Sequence, residues 1–207
     1  MKDVLDRAWV ALFDRAAAMA DRGGDFRLRH RLVAPARGRV LEVGAGTGRN
    51  LPLYRDADEV VALEPDRYSR GYAEARAPLA PVPVTLIDGD AQALPFDDAS
   101  FDTVVCSLVL CTVPDLDRGL REIRRVLRPD GTLRFWEHVR SDERDLARWQ
   151  DRFETPWGWL GRGCRPNRDT VARITAAGFE VRELDPYEAA GLPPIVRPHV
   201  IGITKPS

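Results

Sequence analysis

The sequence lacks long apolar runs and a strong charge imbalance. No stretch approaches the ~18 consecutive apolar residues of a membrane-spanning helix, and the amino terminus lacks the basic, apolar and small-residue order of a signal peptide. With 31 basic and 32 acidic residues, the net charge of −1 gives no field that would favour nucleic acid or an anionic membrane. We therefore expect a small-molecule partner, no nucleic acid and no integral membrane segment.

Cysteine is also scarce, with only Cys106, Cys111 and Cys164 among 207 residues. Their spacing matches no metal-ligand motif, and two of them lie in apolar surroundings, as buried free cysteines do. We predict reduced thiols, no metal site and a cytoplasmic location. The length fits one domain over residues 1–207, as a monomer or homodimer.

The most informative stretch is residues 40–48, in which a short apolar strand runs into three alternating glycines. Gly44 and Gly46 allow a sharp turn and a close approach of the backbone to a ligand. Glu42 places an acid where a nicotinamide dinucleotide site usually carries an apolar residue, and Arg49 replaces the small residue which that fingerprint needs. An acid suits a cationic group, such as the ammonium of S-adenosylmethionine (SAM).

Periodicity predicts alternating strands and helices along the chain. We expect a helix capped by Thr47 after the glycines, and one capped by Asn167 that ends at Gly178. The other predicted helices are 4–20, 67–76 and one from 115 to 128; the predicted strands are 40–43, 59–63, 84–87, 103–106, 132–136, 179–184 and 200–204. This alternation predicts a doubly wound, mostly parallel α/β sheet, and the last two strands, joined without a clear helix, suggest an antiparallel edge.

Two segments outside the strands have open interpretations. Residues 1–30 carry an amphipathic helix, either a lid over the ligand crevice or a cover for a sheet edge. Residues 140–165 hold an aromatic cluster that either walls an apolar substrate pocket or belongs to the core. His30 lies among Arg27, Arg29 and Arg31. We predict that these residues form a solvated basic patch that takes no part in the chemistry.

The acid after the second strand is the best candidate for a ribose ligand. Glu64 follows Gly46 by 18 residues, close to the ~20-residue offset at which an acid reaches ribose hydroxyls in such folds. A carboxylate can accept hydrogen bonds from both hydroxyls at once. We therefore predict that Glu64 binds the ribose.

The segment from Leu41 to Gly48 resembles the glycine motif of class I SAM-dependent methyltransferases. Asp90 and Ala91 match the acid and the next residue of the family's adenine-binding G-D-A step; the alternative is a polar loop. The resemblance, from about Arg39 to the end, implies a Rossmann-like seven-stranded sheet with an antiparallel last strand. It implies a cofactor-binding set of Glu42, Gly44, Ala45, Gly46, Asn50, Glu64, Pro65, Asp90, Ala91, Cys106, Ser107 and Leu108.

Three separated segments, 106–113, 134–139 and 196–202, look like the methyltransferase-like family of animals that includes alkyl thiol S-methyltransferases, and like similar bacterial proteins. Animal members carry an amino-terminal membrane anchor, which we do not expect here. The resemblance implies SAM-dependent S-methylation of a small apolar thiol, with S-adenosylhomocysteine as the product. The alternatives are an N- or O-methyltransferase acting on an amine, phospholipid or phenol, and a SAM-binding protein without turnover.

Methyl transfer from a sulfonium requires few catalytic groups, because the donor is already activated. A base near a thiol acceptor would favour the reactive thiolate. His138 and His199 are the candidate bases, although each can equally be a packed histidine. Cys111 is expected to form pocket wall, since direct displacement needs no covalent enzyme intermediate.

Overall fold

A computed structural model describes residues 2–207 and contains seven strands. These are β1 (Gly38–Val43), β2 (Ala57–Leu63), β3 (Val84–Ile87), β4 (Phe101–Ser107), β5 (Leu127–His138), β6 (Phe179–Glu188) and β7 (Pro198–Pro206). They form one sheet in the order β3-β2-β1-β4-β5-β7-β6. Neighbouring strands from β3 to β5 pair in parallel, whereas β7 pairs antiparallel with both β5 and β6. The predicted seven-stranded sheet with an antiparallel last strand is confirmed.

Within the described part of the chain, six α-helices accompany the sheet. They are α1 (Lys2–Ala20), α2 (Phe26–Val33), α3 (Arg67–Arg76), α4 (Leu116–Val126), α5 (Arg144–Leu160) and α6 (Thr170–Ala176). Between α1 and α2 the chain kinks at Gly24, whose φ of 133° breaks the helical geometry. Asp66 and Asp115 cap α3 and α4 by accepting the backbone N–H three residues on, so these two helices begin where the sequence predicts.

Helices cover both faces of the sheet because the central strands are buried on both sides. Leu41 and Val43 of β1 belong to a core cluster that includes residues of α4 and α6. Val40, which precedes Leu41 and faces the other side of the sheet, belongs to a second cluster that includes residues of α2 and α3. This is the doubly wound arrangement. Within residues 2–207, no helix combines the length and the apolar character needed to cross a bilayer.

Two predicted helix starts are wrong. After the glycines only a single 3₁₀ turn forms, Leu51–Leu53, and the Thr47 hydroxyl donates to Asp14 instead of capping a helix. Pro52 lacks an N–H, and β2 begins too soon after it for a full helix to fit. The cap of α6 is Asp169, which accepts from Ala172, and not Asn167.

Candidate active site

A cavity of about 690 Å³ opens beside the carboxyl ends of β1, β2, β4 and β5. The chain order reverses between β1 and β4, and open α/β sheets bind ligands at such a switch point. Most of the predicted cofactor set lines this cavity, namely Glu42, Gly44, Ala45, Gly46, Asn50, Glu64, Pro65, Ser107 and Leu108. The fold therefore brings together residues from three segments, 42–50, 64–65 and 107–108, that are far apart in sequence.

The glycine loop requires its glycines for two different reasons. Gly44 has a φ of +67°, and a Cβ there would stand 2.3 Å from the side chain of Val109. Gly46 has a φ of +56°, but a Cβ there would meet no atom within 4 Å. Positive φ excludes most side chains at both positions. At Gly46, which lines the cavity, the space beside the backbone is empty, so a ligand can approach the main chain there.

Glu42 is a buried acid with one oxygen still available. It is 1% exposed, its Oε1 accepts from Asn50 at 2.7 Å, and its Oε2 has no hydrogen-bond partner within residues 2–207. Burial raises the pKa of Glu42 to about 7, against the opposing effects of the Asn50 hydrogen bond and of the nearby buried Tyr54 hydroxyl. A buried, unpartnered carboxylate oxygen in a cavity fits a cationic ligand group.

Arg29 orients Asn50 and was not expected at the site. Its guanidinium donates to Asn50 Oδ1 at 3.1 Å, is held by Asp21 and lies 5.3 Å from the centre of the Trp136 ring. The sequence placed this arginine in a solvated basic patch, because nothing local shows that α2 packs beside the glycine loop. The cavity thus presents a guanidinium as well as a carboxylate.

Glu64 is turned towards the glycine loop and is 7% exposed. One carboxylate oxygen accepts from the backbone N–H of Gly46 at 2.7 Å, and the other from that of Asp66 at 2.9 Å. Burial raises the pKa of Glu64 despite these two bonds. Each oxygen keeps a further lone pair, so the carboxylate is able to accept from two hydroxyl groups.

The chain after β4 carries strain where it borders the cavity. Leu108 has a φ of 57°, a left-handed conformation that is costly for a branched side chain, and its N–H donates to Trp136. The neighbouring Ser107 hydroxyl is buried without a partner in the described chain. Such strain and unmet polar groups cluster at ligand sites.

Three members of the predicted cofactor set do not line the cavity. Asp90 is exposed, and its carboxylate accepts from the side chain and backbone of Gln92. Ala91 is buried against the core, and Cys106 is fully buried in it. Their roles as cofactor ligands remain predictions.

The two candidate bases differ in position. His138 ends β5 and lines the cavity. His199 does not; it is 2% exposed, its Nδ1 lies 2.8 Å from the Arg197 carbonyl, and its ring centre is 4.5 Å from that of His138. Burial lowers the pKa of His199 to about 4, and the electrostatic effect of the neighbouring His138 ring adds to this.

Two cysteines meet His138, which their spacing in the sequence did not indicate. The Nδ1 atom of His138 lies 3.4 Å from Cys164 Sγ and 3.7 Å from Cys111 Sγ. Hydrogen bonds from the Cys111 thiol and from His138 lower the pKa of Cys164. Cys106, the remaining cysteine, is buried elsewhere in the core.

Apolar side chains from α1 and α5 complete the wall. Trp9 and Phe13 of α1 stack on each other and line the cavity, as Trp157 and Leu160 of α5 do. Arg162, just after α5, donates to Asp6 of α1 at 2.6 Å, so the two segments meet beside the cavity. The aromatic cluster expected in residues 140–165 also includes Trp149, Phe153 and Trp159, and these three side chains do not line the cavity.

Comparisons with known proteins agree with this geometry. Residues 41–135 match the family model described as a methyltransferase domain. The human thiol S-methyltransferase TMT1B is 37% identical over 171 residues, which cover 79% of this chain and 68% of that protein. The phosphatidylethanolamine N-methyltransferase of Cereibacter sphaeroides is 35% identical over 162 residues, covering 75% and 76%.

A solved structure supports the fold. The complex of DhpI with S-adenosylhomocysteine (SAH) superposes with a TM-score of 0.68 over 99% of this chain and 94% of that one, at 20% identity. The seven-stranded sheet, the matched domain and the relatives agree with one another. The chain therefore belongs to the class I SAM-dependent methyltransferases, in the family that includes the thiol S-methyltransferases.

Proposed function

We propose that this methyltransferase transfers the methyl group of SAM to the sulfur of a small, largely apolar thiol. The observation that carries the proposal is His138, which stands in the wall of a cavity partly lined by Trp9, Phe13, Trp157 and Leu160. The human relative at 37% identity is named as a thiol S-methyltransferase, which supports the same acceptor class.

The residues at the cavity fit SAM. Glu42 Oε2, which has no hydrogen-bond partner in the described chain, would hold the ammonium group, and Arg29 lies where it could pair with the carboxylate of the same zwitterion. Glu64 would accept from the ribose hydroxyls, and the open backbone at Gly46 would permit close approach. Asp90 would read the adenine amino group after a change of its Gln92 contacts.

The protein's contribution to the reaction is positioning and the exclusion of water. When bound, SAM supplies an activated methyl group on a sulfonium. The apolar side chains of α1 and α5 would hold the acceptor and keep water out. We propose that residues 1–30 act as a lid and residues 140–165 as the substrate-side segment.

The buried free cysteines support the proposal that the protein functions in a reducing compartment such as the cytoplasm.

His138 would favour the thiolate form of the acceptor. A free thiol has a pKa of about 8.5 and is only a few per cent ionised at pH 7. The His138 ring has Cys111, Cys164 and His199 as neighbours. Glu137, the preceding residue, is buried. His199 lies outside the cavity lining and is the weaker candidate.

The test is kcat/KM against pH for one alkyl thiol at saturating SAM. His138→Ala should lower kcat/KM at least tenfold near pH 7. Much of the loss should disappear at high pH, where the acceptor is already ionised. The matched control is His30→Ala, which changes an exposed histidine of α2 outside the cavity. A deficit that is the same at every pH would assign His138 to packing, and no deficit would remove it from the reaction.

A second candidate function is N-methylation. The phosphatidylethanolamine N-methyltransferase of Cereibacter sphaeroides matches 75% of this chain at 35% identity. An amine acceptor has to lose a proton as a thiol does, so His138 alone does not exclude it. Methylation of amines or amine lipids with no thiol product would favour this alternative.

A further inference from the structure

Two cysteine sulfur atoms and one histidine nitrogen converge at the wall of the cavity. We propose that Cys111, His138 and Cys164 bind one Zn²⁺ ion, with its fourth position facing the cavity. Their sulfur and nitrogen atoms all lie within 4.8 Å of one another. The sequence does not indicate the site, because the cysteines are 27 and 26 residues from His138.

The two sulfur-to-nitrogen distances fit tetrahedral zinc. Zn–S bonds of about 2.3 Å and Zn–N bonds of about 2.0 Å at the tetrahedral angle place sulfur and nitrogen about 3.5 Å apart. The two observed separations from His138 Nδ1 are 3.4 Å to Cys164 and 3.7 Å to Cys111. Both separations from His138 are therefore those of a preformed ligand set, and the two sulfur atoms lie within 4.8 Å of each other.

Surrounding hydrogen bonds hold the backbone of both cysteine ligands in place. The Glu137 carboxylate accepts the backbone N–H groups of Val109, Leu110 and Cys111, and the Cys111 carbonyl accepts from the Arg165 N–H at 2.9 Å. The Cys164 N–H donates to the Gly161 carbonyl at 3.1 Å, which closes the turn after α5. Such outer contacts orient the ligands of metal sites.

The donor set favours zinc and an open position. Two cysteines and one histidine with an exchangeable fourth ligand are a known catalytic zinc set, and thiolates select soft or borderline metals. Two thiolates neutralise the charge of Zn²⁺, so the site would not repel a cationic cofactor. Cys111, His138 and Cys164 all line the cavity, which leaves the fourth position on the side where an acceptor would enter.

We assign the acceptor thiol as the fourth ligand, and this assignment rests on the proposed function. Zn²⁺ would lower the pKa of the thiol, whose proton leaves to solvent. The acceptor sulfur then forms its bond to the methyl carbon as the bond from that carbon to the sulfonium breaks, giving a thioether and SAH. His138 would thus act through the metal rather than as a base.

Metal content is the first test. The wild-type enzyme, equilibrated with zinc under a non-chelating reductant and desalted, should retain about one zinc per chain by elemental mass spectrometry. Cys111→Ser and Cys164→Ser should each retain at least tenfold less. Cys106→Ser changes the one cysteine outside the cluster and should retain zinc as wild type does. No zinc in folded wild-type protein, or equal zinc in all four proteins, overturns the proposal.

Cobalt gives a readout that needs neither a variant nor turnover. The Co²⁺-substituted wild-type protein should show the visible bands of a tetrahedral ion and sulfur-to-cobalt charge transfer, and an added alkyl thiol should shift both. A spectrum without sulfur charge transfer overturns the site. Bands that no thiol shifts overturn the fourth-ligand assignment. Thiol methylation by protein shown to be free of metal would refute the role of zinc in binding the acceptor thiol. The proposed function would still stand.

Discussion

At the scale of single residues, Glu42 links the sequence to the electrostatics of the site. The sequence alone shows an acid two residues before the first glycine, and that acid predicts a cationic ligand group. It does not predict that the carboxylate is 1% exposed, held by Asn50 on one oxygen and unpartnered on the other within the described residues. Those features come from α2 and the glycine loop packing around it, and they raise its pKa to about 7.

This raised pKa predicts that SAM affinity depends on pH. Below about pH 7 Glu42 is protonated before binding, and an ammonium group favours the carboxylate, so binding must release a proton. The Kd for SAM should rise as the pH falls from 8 to 6, by up to about tenfold per unit below the pKa. Calorimetry in two buffers of different ionisation enthalpy measures the proton released.

The control for this prediction is Glu42→Gln, which keeps the shape and cannot titrate. Its affinity should be lower than that of wild type at pH 8 and nearly independent of pH. A wild-type affinity that does not change from pH 8 to 6, with no proton release, would contradict the assignment of Glu42 to the ammonium group.

Glu64→Ala should weaken SAM binding by about 1.5–3 kcal/mol, the usual contribution of hydrogen bonds to a charged group. The backbone N–H groups of Gly46 and Asp66 also lose their acceptor, so the loop would loosen in the same direction. Calorimetry on folded protein measures the effect. Glu59→Ala, on the strand that ends just before Glu64 but outside the cavity, should bind SAM as wild type does. An unchanged affinity in Glu64→Ala would remove this residue from the ribose site.

At the scale of elements, local signals located the elements that depend on local chemistry. The bounds of α3 and β3 agree with the predicted ones, because the Asp66 cap and the prolines before Val84 mark them. The helix expected after the glycines fails for a non-local reason. Thr47 donates to Asp14, 33 residues away on α1, and no pattern near Thr47 reveals that partner.

The segment after β4 depends on one buried acid, which gives a prediction about stability. Glu137 is 0% exposed and accepts three backbone N–H groups, from Val109, Leu110 and Cys111. Glu137→Gln replaces one accepting oxygen with an NH₂ donor, so at least one buried N–H loses its partner. The free energy of unfolding should fall by about 1–3 kcal/mol.

Urea denaturation measures that change in unfolding free energy. The matched control is Glu74→Gln on the exposed side of α3, which should stay within about 0.5 kcal/mol of wild type. If Glu137→Gln is as stable as the control, the three hydrogen bonds do not hold the segment in place.

At the scale of the whole molecule, the sequence predicts the sheet and the glycine turn but not what closes the cavity. Alternating strands and helices, with glycines at one strand end, are sufficient to predict a doubly wound sheet and its ligand edge. The meeting of α1 with the turn after α5 joins Asp6 to Arg162, 156 residues apart. The grouping of two cysteines with His138 is equally non-local. Such contacts depend on packing, which periodicity does not record.

The most direct test of the account is the identity of the methyl acceptor. Wild-type enzyme with methyl-labelled SAM should be assayed against matched series of small alkyl thiols, amines, phenols and phosphatidylethanolamine, with products identified by mass spectrometry. The account predicts labelled thioethers and SAH in equal amounts, with the highest kcat/KM for apolar thiols. Labelled amines, phenols or lipids, with no thioether from any thiol, would contradict it.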